Sequence, residues 1–290
     1  LYVGFNNNSK HGDIIRVFVK SPNDPPDAVN DTDSVNEDAT VTKTSSQNDA
    51  LNDDSDPDGD TITVTQIKPS GGSNSAVSSG SSYNSSGTTV TGTYGQLTIG
   101  ADGSYTYAAN QAAAEALDVG DTETDTFTYT IEDGNGGSAT ADIVIKVFGV
   151  NDVPVAQNDV GVINENSTLT VSDGDNANET NDSGSTYNAS GEHSGDVINT
   201  SSGTHQDSDA DASASLTVTQ IKKDGGSNSA VSSGTNHLNG TSVTGTYGTL
   251  TIGADGAYTY AATASAADGI ADGESATDVF VYTLSDGCLL

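Results

Sequence analysis

The sequence is poor in several residue types, and each shortage excludes a class of protein. It has one cysteine, no methionine and no tryptophan among 290 residues. A disulfide within the chain is therefore impossible. No apolar run approaches the roughly 18 residues that a membrane-spanning helix requires, so membrane insertion is not expected. The chain opens without a signal peptide and without methionine, which indicates a processed product or a piece of a longer chain.

Basic residues are also scarce, with 8 Lys and Arg against 41 Asp and Glu, and the net charge is −33. A nucleic-acid-binding protein needs a basic face, and so few cations cannot supply one. High charge combined with a low aliphatic content is typical of disordered chains. Whether this chain is disordered depends on whether its sequence contains a regular pattern.

The sequence does contain a regular pattern, which is an internal repeat. TVTQIK at 63–68 returns at 217–222, GGSNSAVSSG at 71–80 returns at 225–234, and LTIGADG at 97–103 returns at 250–256. An earlier marker that begins at Asn23-Asp24 returns at Asn151-Asp152, so the second copy contains extra residues. We predict three parts: a leading strand at 1–22, a first module at 23–150 and a second at 151–290. The second module contains an insert at 172–207, rich in Ser, Asn, Asp and Gly, that is expected to be a surface loop.

Within each copy the hydrophobic period is two. Polar and apolar residues alternate at 61–67, 96–99, 104–107, 126–131 and 141–147, and glycine-containing turns separate these runs. Such runs are typical of half-buried strands. Only Gln111–Leu117 has a helical pattern, and it is long enough for one or two turns. The pattern predicts an all-β fold of two tandem Ig-like β-sandwich modules, preceded by a strand that is out of phase with them.

Three longer phrases add a family resemblance. They are GADGSYTY at 100–107, GDTETDTFTYTIEDGNGG at 120–137 and VNDVPVA at 150–156. Together they resemble the VCBS and cadherin-like repeats of large secreted bacterial adhesins. The resemblance implies Ig-like modules on the bacterial cell surface, with Ca²⁺ stiffening the links between them. The second copy departs from this pattern in the segment that begins at Asp207, because it lacks the glycine found in the first.

The acidic loop of the first copy is the sharpest candidate site. Asp54, Asp56, Asp58 and Asp60 alternate along it, with Gly59 at the sixth position. Calcium accepts six to eight oxygen ligands in a loose geometry, which suits such a loop. An EF-hand is excluded because Thr65 occupies the twelfth position, where a glutamate is required. The alternative is a solvated acidic turn.

The resemblance implies a second set of calcium ligands, at the joint between modules. Its members are acidic or amide side chains at the starts of the two modules: Asp24, Asp31, Glu37, Asn151, Asp152, Asp159 and Glu165. Asp209 and Asp211 belong instead to the acidic loop of the second copy, which is the weaker candidate because it lacks the glycine. The alternative is an ordinary linker with capping Asx residues. Asp133 at the next turn fits a ligand or a hairpin residue equally well. Four acidic residues of the insert fit a solvated loop better: Asp173, Asp175, Glu179 and Asp182.

Catalysis finds little support in the sequence. The four histidines share no metal-binding spacing and no HExxH motif occurs. We expect no enzyme, and we interpret Cys288 as incidental. The sequence instead favours an extracellular structural or adhesion protein, a calcium-stiffened rod whose partners are a cell-surface or matrix component. The alternative is an adhesin module that binds a glycan or another ligand through the 172–207 insert.

The leading segment suggests how such rods would assemble. IIRVF at 14–18 closely matches VIKVF at 144–148, and the second copy stops before a matching strand. Five apolar residues would form a donated strand: Ile14, Ile15, Val17, Phe18 and Val19. Donation into a neighbour's second module would give an open head-to-tail filament of identical subunits. The alternatives are flanking repeats of a longer chain, or a disordered leader.

Overall fold

The structure is a computed structural model. It describes residues 21–172, 195–198 and 207–288, together with the backbone of three two-residue strands at 2–3, 17–18 and 180–181. The chain divides into two compact units, residues 1–149 and 150–290. The described residues are all β and contain no α-helix, which confirms the predicted fold class. None of their elements is a helix with the length and apolar character that crossing a membrane requires.

The first unit begins with a short antiparallel pair, β1 (Tyr2–Val3) with β2 (Val17–Phe18). Of the predicted donor segment, Ile14, Ile15 and Val19 lie outside the described residues. The remaining strands of this unit follow in chain order: β3 (Asp31–Asn36), β4 (Thr40–Lys43), β5 (Thr63–Pro69), β6 (Ser75–Ala76), β7 (Thr88–Thr91), β8 (Gln96–Ile99), β9 (Tyr105–Ala108), β10 (Thr122–Glu132) and β11 (Ser138–Phe148). They form a five-stranded sheet in the order β3-β11-β10-β5-β6 and a four-stranded sheet in the order β4-β9-β8-β7.

The period-two pattern places the core of the first unit between these two sheets. On β10 the inward side chains Phe127, Tyr129 and Ile131 are completely buried. On β11, Ile143 and Ile145 are buried in the same way. Polar residues alternate with them on the outer face, so each strand is buried on one side and hydrated on the other.

The second unit repeats most of this architecture. Its strands are β12 (Thr168–Val171), β13 (Thr180–Asn181), β14 (Thr217–Lys223), β15 (Ser229–Ala230), β16 (Thr241–Thr244), β17 (Thr249–Ile252), β18 (Tyr258–Ala261) and β19 (Phe280–Ser285). One sheet has the order β13-β12-β18-β17-β16 and the other has the order β15-β14-β19. Leu169, Val218, Ile221 and Ile252 belong to its hydrophobic core.

Two local predictions differ from the structure. Gln111–Leu117 forms consecutive turns rather than a helix, with a single i to i−4 bond from Glu115 N to Gln111 O. Isolated short helices are marginal, so a one-turn segment is easily replaced by turns. The predicted surface insert also includes core residues. Val197 and Ile198 are buried and pack in the second core, because Val197 N donates to Gly256 O and anchors the segment there. The insert's Asp173, Asp175, Glu179 and Asp182 lie outside the described residues.

Candidate metal centre

The acidic loop of the first unit is folded by its own aspartates. Asp56 Oδ1 accepts the backbone N–H groups of Asp58 at 2.8 Å and Asp60 at 3.2 Å. Gly59 N donates to Asp56 O at 3.0 Å, and Gly59 takes a φ of +76°, which an L side chain rarely adopts. The glycine therefore closes the turn, and Asp56 caps it.

Three carboxylates of this loop converge. Asp56, Asp58 and Asp60 each offer an oxygen within 4.8 Å of the other two. Asp56 Oδ2 is buried and has no hydrogen-bond partner. Buried polar atoms are normally satisfied, so an orphaned carboxylate oxygen within a carboxylate cluster suits a hard cation.

We call Asp56, Asp58 and Asp60 the acidic trio. Distant segments of the chain fix the carboxylates of Asp58 and Asp60. Asp58 Oδ2 accepts the N–H of Asp24 at 2.7 Å, and Asp60 Oδ2 accepts Asn135 Nδ2 at 2.7 Å. Asp24 belongs to the segment that enters the unit, and Asn135 lies in the turn between β10 and β11. The loop is thus held in place from two sides before any cation is added.

The turn that carries Asn135 is capped by Asp133. Asp133 accepts Asn23 Nδ2 at 2.7 Å and the backbone N–H groups of Asn135 and Gly137. The bond from Asn23 and these backbone donors lower the pKa of the Asp133 carboxyl. The structure therefore uses Asp133 as the capping residue of a hairpin turn, one of the two roles that its sequence left open.

Asp54 serves the fold rather than the trio. Its Oδ1 accepts Val29 N at 2.7 Å, and its Oδ2 lies 2.9 Å from Tyr129 Oη. Both oxygens therefore have protein partners, and Asp54 braces the start of the loop against the core. The sequence alone did not separate this role from that of a ligand.

Asp31, the first residue of β3, lies near Asp54 and Tyr129. Burial raises the pKa of Asp31 to about 7, and the negative charges of Asp53 and Asp54 add to the effect. Tyr129 opposes the rise by hydrogen bonding, and Asp31 Oδ2 itself has no hydrogen-bond partner. Asp31 is thus a poorly hydrated carboxyl next to the loop, outside the trio.

The Tyr129 hydroxyl joins three chain segments, since it also lies 2.9 Å from Ala50 O and 3.0 Å from Val29 O. We expect Tyr129→Phe to destabilise the first unit by roughly 1–3 kcal/mol, because it removes the single O–H that these acceptors share. Urea denaturation measures the change. Tyr83→Phe removes a hydroxyl that is not part of the hydrogen bonds around Tyr129, and it is the matched control. Equal loss in both variants would contradict the assignment.

The second unit reproduces this geometry, with the acidic loop 153 residues later and the entry segment 128 residues later. Asp207 Oδ1 accepts Gln157 N at 2.6 Å, as Asp54 accepts Val29 N. Asp211 N donates to Asp209 Oδ1 at 2.9 Å, and Asp152 N donates to Asp211 Oδ2 at 2.9 Å. The Tyr282 hydroxyl lies 2.9 Å from Asp159 Oδ2 and 3.3 Å from Asp207 Oδ2, in the position of Tyr129.

Two oxygens of this second loop and one of the entry segment are orphaned. Asn151 Oδ1, Asp209 Oδ2 and Asp211 Oδ1 are buried without a hydrogen-bond partner, and Asp211 as a whole is 8% exposed. Burial raises the pKa of Asp209, and the neighbouring charge of Asp211 adds to this. Ser213 stands where the first loop has Asp60, so this loop has one carboxylate fewer. One capping bond is common to both loops, since Asp211 N donates to Asp209 Oδ1 as Asp58 N donates to Asp56 Oδ1.

The other two predicted ligands lie at strand ends. Glu37 follows β3, and its N–H donates to Phe148 O at 2.9 Å. Glu165 is exposed in the turn before β12. The predicted joint combines residues of both units, and it stays a prediction.

Few cations are available to neutralise these carboxylates. Lys43 Nζ contacts Asp33 Oδ2 at 3.1 Å, but the whole chain has only 8 Lys and Arg for its 41 acidic groups. Most carboxylates are therefore left to repel one another, and they do so most strongly where they are clustered and partly desolvated. A divalent cation relieves that repulsion.

Sequence reasoning missed three residues of these sites. Asn135 was hidden because it lies 75 residues from Asp60, with which it bonds. Asp207 was noted only as the start of the segment in which the second copy departs from the first, and Tyr129 only as part of the phrase at 120–137. Their recurrence at matching positions, Asp54 with Asp207 and Tyr129 with Tyr282, was the signal that pointed to them.

Comparisons with known proteins address the first unit. Residues 23–149 match the family model of the bacterial cadherin-like domain, which is somewhat less than half of the chain. No curated protein matches the sequence. A solved structure of a nucleoside hydrolase-related hypothetical protein from Saccharophagus degradans, associated with carbohydrate metabolism, is similar over 44% of this chain, with 17% identity and a TM-score of 0.26. The similarity spans 26% of that protein. In sequence, then, the first unit is similar to a bacterial cadherin-like domain, and its all-β sandwich agrees with that similarity.

Proposed function

We propose that this chain is a calcium-stiffened structural and adhesive segment of a bacterial cell-surface protein. The similarity of residues 23–149 to a bacterial cadherin-like domain supports an adhesive or structural role. The proposal that the chain binds calcium rests on the two acidic loops, because Asp56 Oδ2, Asp209 Oδ2 and Asp211 Oδ1 are buried without hydrogen-bond partners. In this role the chain is extracellular and works without catalysis. Its partners are a cell-surface or matrix component and further modules.

Calcium suits these loops better than other common ions. Their donors are carboxylate and amide oxygens, which hard cations prefer over soft ones. The first loop is built around a flexible glycine turn, and Ca²⁺ tolerates irregular coordination, whereas Mg²⁺ demands a nearly ideal octahedron. The bonds from Asp24 and Asn135 to the trio would let a bound ion fasten the entry segment and the β10–β11 turn to the loop.

Calorimetric titration of the full chain tests the site in the first unit. We expect Asp56→Asn to weaken calcium binding by more than about 10-fold, because removing even an outer partner of a metal site commonly costs that much. Asp53→Asn makes the same change of charge at an exposed neighbour outside the trio. It should alter the affinity of that site by less than about 2-fold, since exposed charges are well screened.

Two results would contradict the proposal. Equal weakening by both substitutions would mean that calcium senses only the overall charge. Wild-type affinity in Asp56→Asn would mean that the trio does not hold the ion. The second loop serves as an internal reference in this titration, because neither substitution touches it.

A further inference from the structure

The two units differ most at one pair of equivalent strands. β10 spans Thr122–Glu132, whereas β19 spans only Phe280–Ser285. The five residues at 275–279 align with 122–126 of β10, yet they lie outside any strand. β10 lies between β5 and β11, while β19 pairs with β14 alone within the part of the chain that the structure describes.

The difference leaves the second core partly open. Phe127, Tyr129 and Ile131 are completely buried on β10. Their counterparts on β19, Phe280, Tyr282 and Leu284, are only half-buried. Val279 and Val281, which alternate with these residues in the sequence, are 51% and 41% exposed. An exposed apolar strand edge is a ready template for another strand.

The first unit shows what covers the equivalent five residues there. Thr122 pairs with Phe148 and Thr126 pairs with Val144, so 122–126 lies opposite 144–148 of β11. Ile145 and Val147 face the core and are completely buried, while Lys146 and Phe148 are exposed. The covering segment therefore has the sequence VIKVF, with its second and fourth residues inward.

The chain carries a second copy of this covering pattern at 14–18, with the sequence IIRVF. Ile15 and Val17 correspond to the inward Ile145 and Val147, and Arg16 corresponds to the outward Lys146. Charge also favours a meeting with the second unit. Three of the chain's eight basic residues fall within eleven positions of the sequence, at Lys10, Arg16 and Lys20. Two exposed acidic residues, Asp272 and Glu274, lie just before the open edge at 275–279.

We propose that residues 14–18 of a second copy of this chain add to the second unit as an antiparallel strand opposite residues 275–279. Ile15 and Val17 then face the half-open core, and β19 extends toward the length of β10. The short pairing of Val17–Phe18 with Tyr2–Val3 is given up, which costs little because an isolated two-stranded ribbon is marginal in water. Donor and acceptor are different surfaces, so the contact repeats head to tail.

Association of the full chain tests this with a matched pair of variants. Ile15→Asp puts a carboxylate on the inward face of the added strand and should weaken self-association by more than about 100-fold, because the charge would leave water. Ile14→Asp makes the same change on the outward face and should retain association within about 10-fold. Sedimentation measures the association. Hydrogen exchange should show that the amides at 275–279 become protected only in the associated wild type and in Ile14→Asp.

Three outcomes would overturn the proposal: a wild type that stays monomeric at all concentrations, association that persists in Ile15→Asp, or protection of 275–279 already in the monomer. The last would mean that the covering strand comes from the same chain. The inference does not depend on calcium binding. Melting each variant with and without calcium distinguishes a failure of this proposal from a failure of the calcium-binding proposal, since Ile15→Asp should retain the wild-type response to calcium.

Discussion

Removing calcium should lower the melting temperature of this protein by more than about 10 °C. An ion present at about 1,000 times its dissociation constant stabilises the state that binds it by roughly 4 kcal/mol. That is a large fraction of the 5–15 kcal/mol that holds a typical domain together. For a unit of this size, each kcal/mol moves the melting temperature by roughly 2–8 °C. The orphaned oxygens of Asp56, Asp209 and Asp211 are the groups whose repulsion would be exposed in chelator.

The measurement is a pair of calorimetric scans, one in calcium and one in chelator, at equal ionic strength. A third scan, in magnesium at the same concentration, separates specific coordination from general screening of the net charge of −33. Superimposable scans in calcium and chelator would contradict the claim that bound calcium stabilises the fold. They would favour a surface whose acidic groups serve only solvation.

Asp125→Ala should be the most damaging single substitution in the polar part of the first unit. Asp125 is 4% exposed and accepts the N–H groups of Thr93, Tyr94 and Gly95 at 2.8–3.0 Å, together with the Tyr107 hydroxyl at 2.7 Å. Its removal leaves four donors without their acceptor. We expect a loss of about 3–5 kcal/mol, the usual cost of breaking a buried charged network by removing one partner.

Denaturant unfolding measures this loss, and Asp121→Ala is the control because Asp121 is exposed nearby. The second unit should keep its own transition in the Asp125→Ala variant, since it has a separate core. A variant that unfolds like the wild type would show that the Asp125 network contributes little. A loss of both transitions would show that the units do not unfold independently.

Asp278 is the counterpart of Asp125 in the second unit, and it carries a pH dependence. Burial alone would raise its pKa, but the Tyr260 hydroxyl and the N–H groups of Thr246, Tyr247 and Gly248 outweigh burial and lower the pKa below the ordinary 3.8. A lowered carboxyl pKa stabilises the fold above the unfolded value. The stabilisation from Asp278 is therefore present above about pH 4 and is lost as the pH falls further.

The sequence predicted those features that depend on neighbours in the chain. The alternation at 126–131 placed a strand within β10, and the spacing of Asp56, Asp58 and Asp60 placed the acidic trio, because both are local patterns. The bond between Asn135 and Asp60 could not be predicted in this way, since it joins residues 75 positions apart that meet only through the sheet order. The burial of Val197 and Ile198 inside a polar insert had the same origin.

The length of β19 shows a second limit of local patterns. The matching sequences VFVYT at 279–283 and TFTYT at 126–130 predict equal strands, yet β19 is six residues long and β10 is eleven. A strand's length depends on which partners lie beside it. β10 has a neighbour on each side, β5 and β11, whereas β19 has only β14 among the described residues. Asp54 is similar, because its role as a brace depends on Tyr129 and Val29, which lie elsewhere in the sequence.

A structure determined from crystals grown in calcium, with an anomalous difference map, tests the central claim most directly. Our account predicts an anomalous peak about 2.3–2.6 Å from carboxylate oxygens of Asp56, Asp58 and Asp60, the usual calcium–oxygen distance. It predicts a second peak beside the orphaned oxygens of Asp209 and Asp211. Well-ordered loops that show no anomalous peak at millimolar calcium would contradict the claim that these loops bind it.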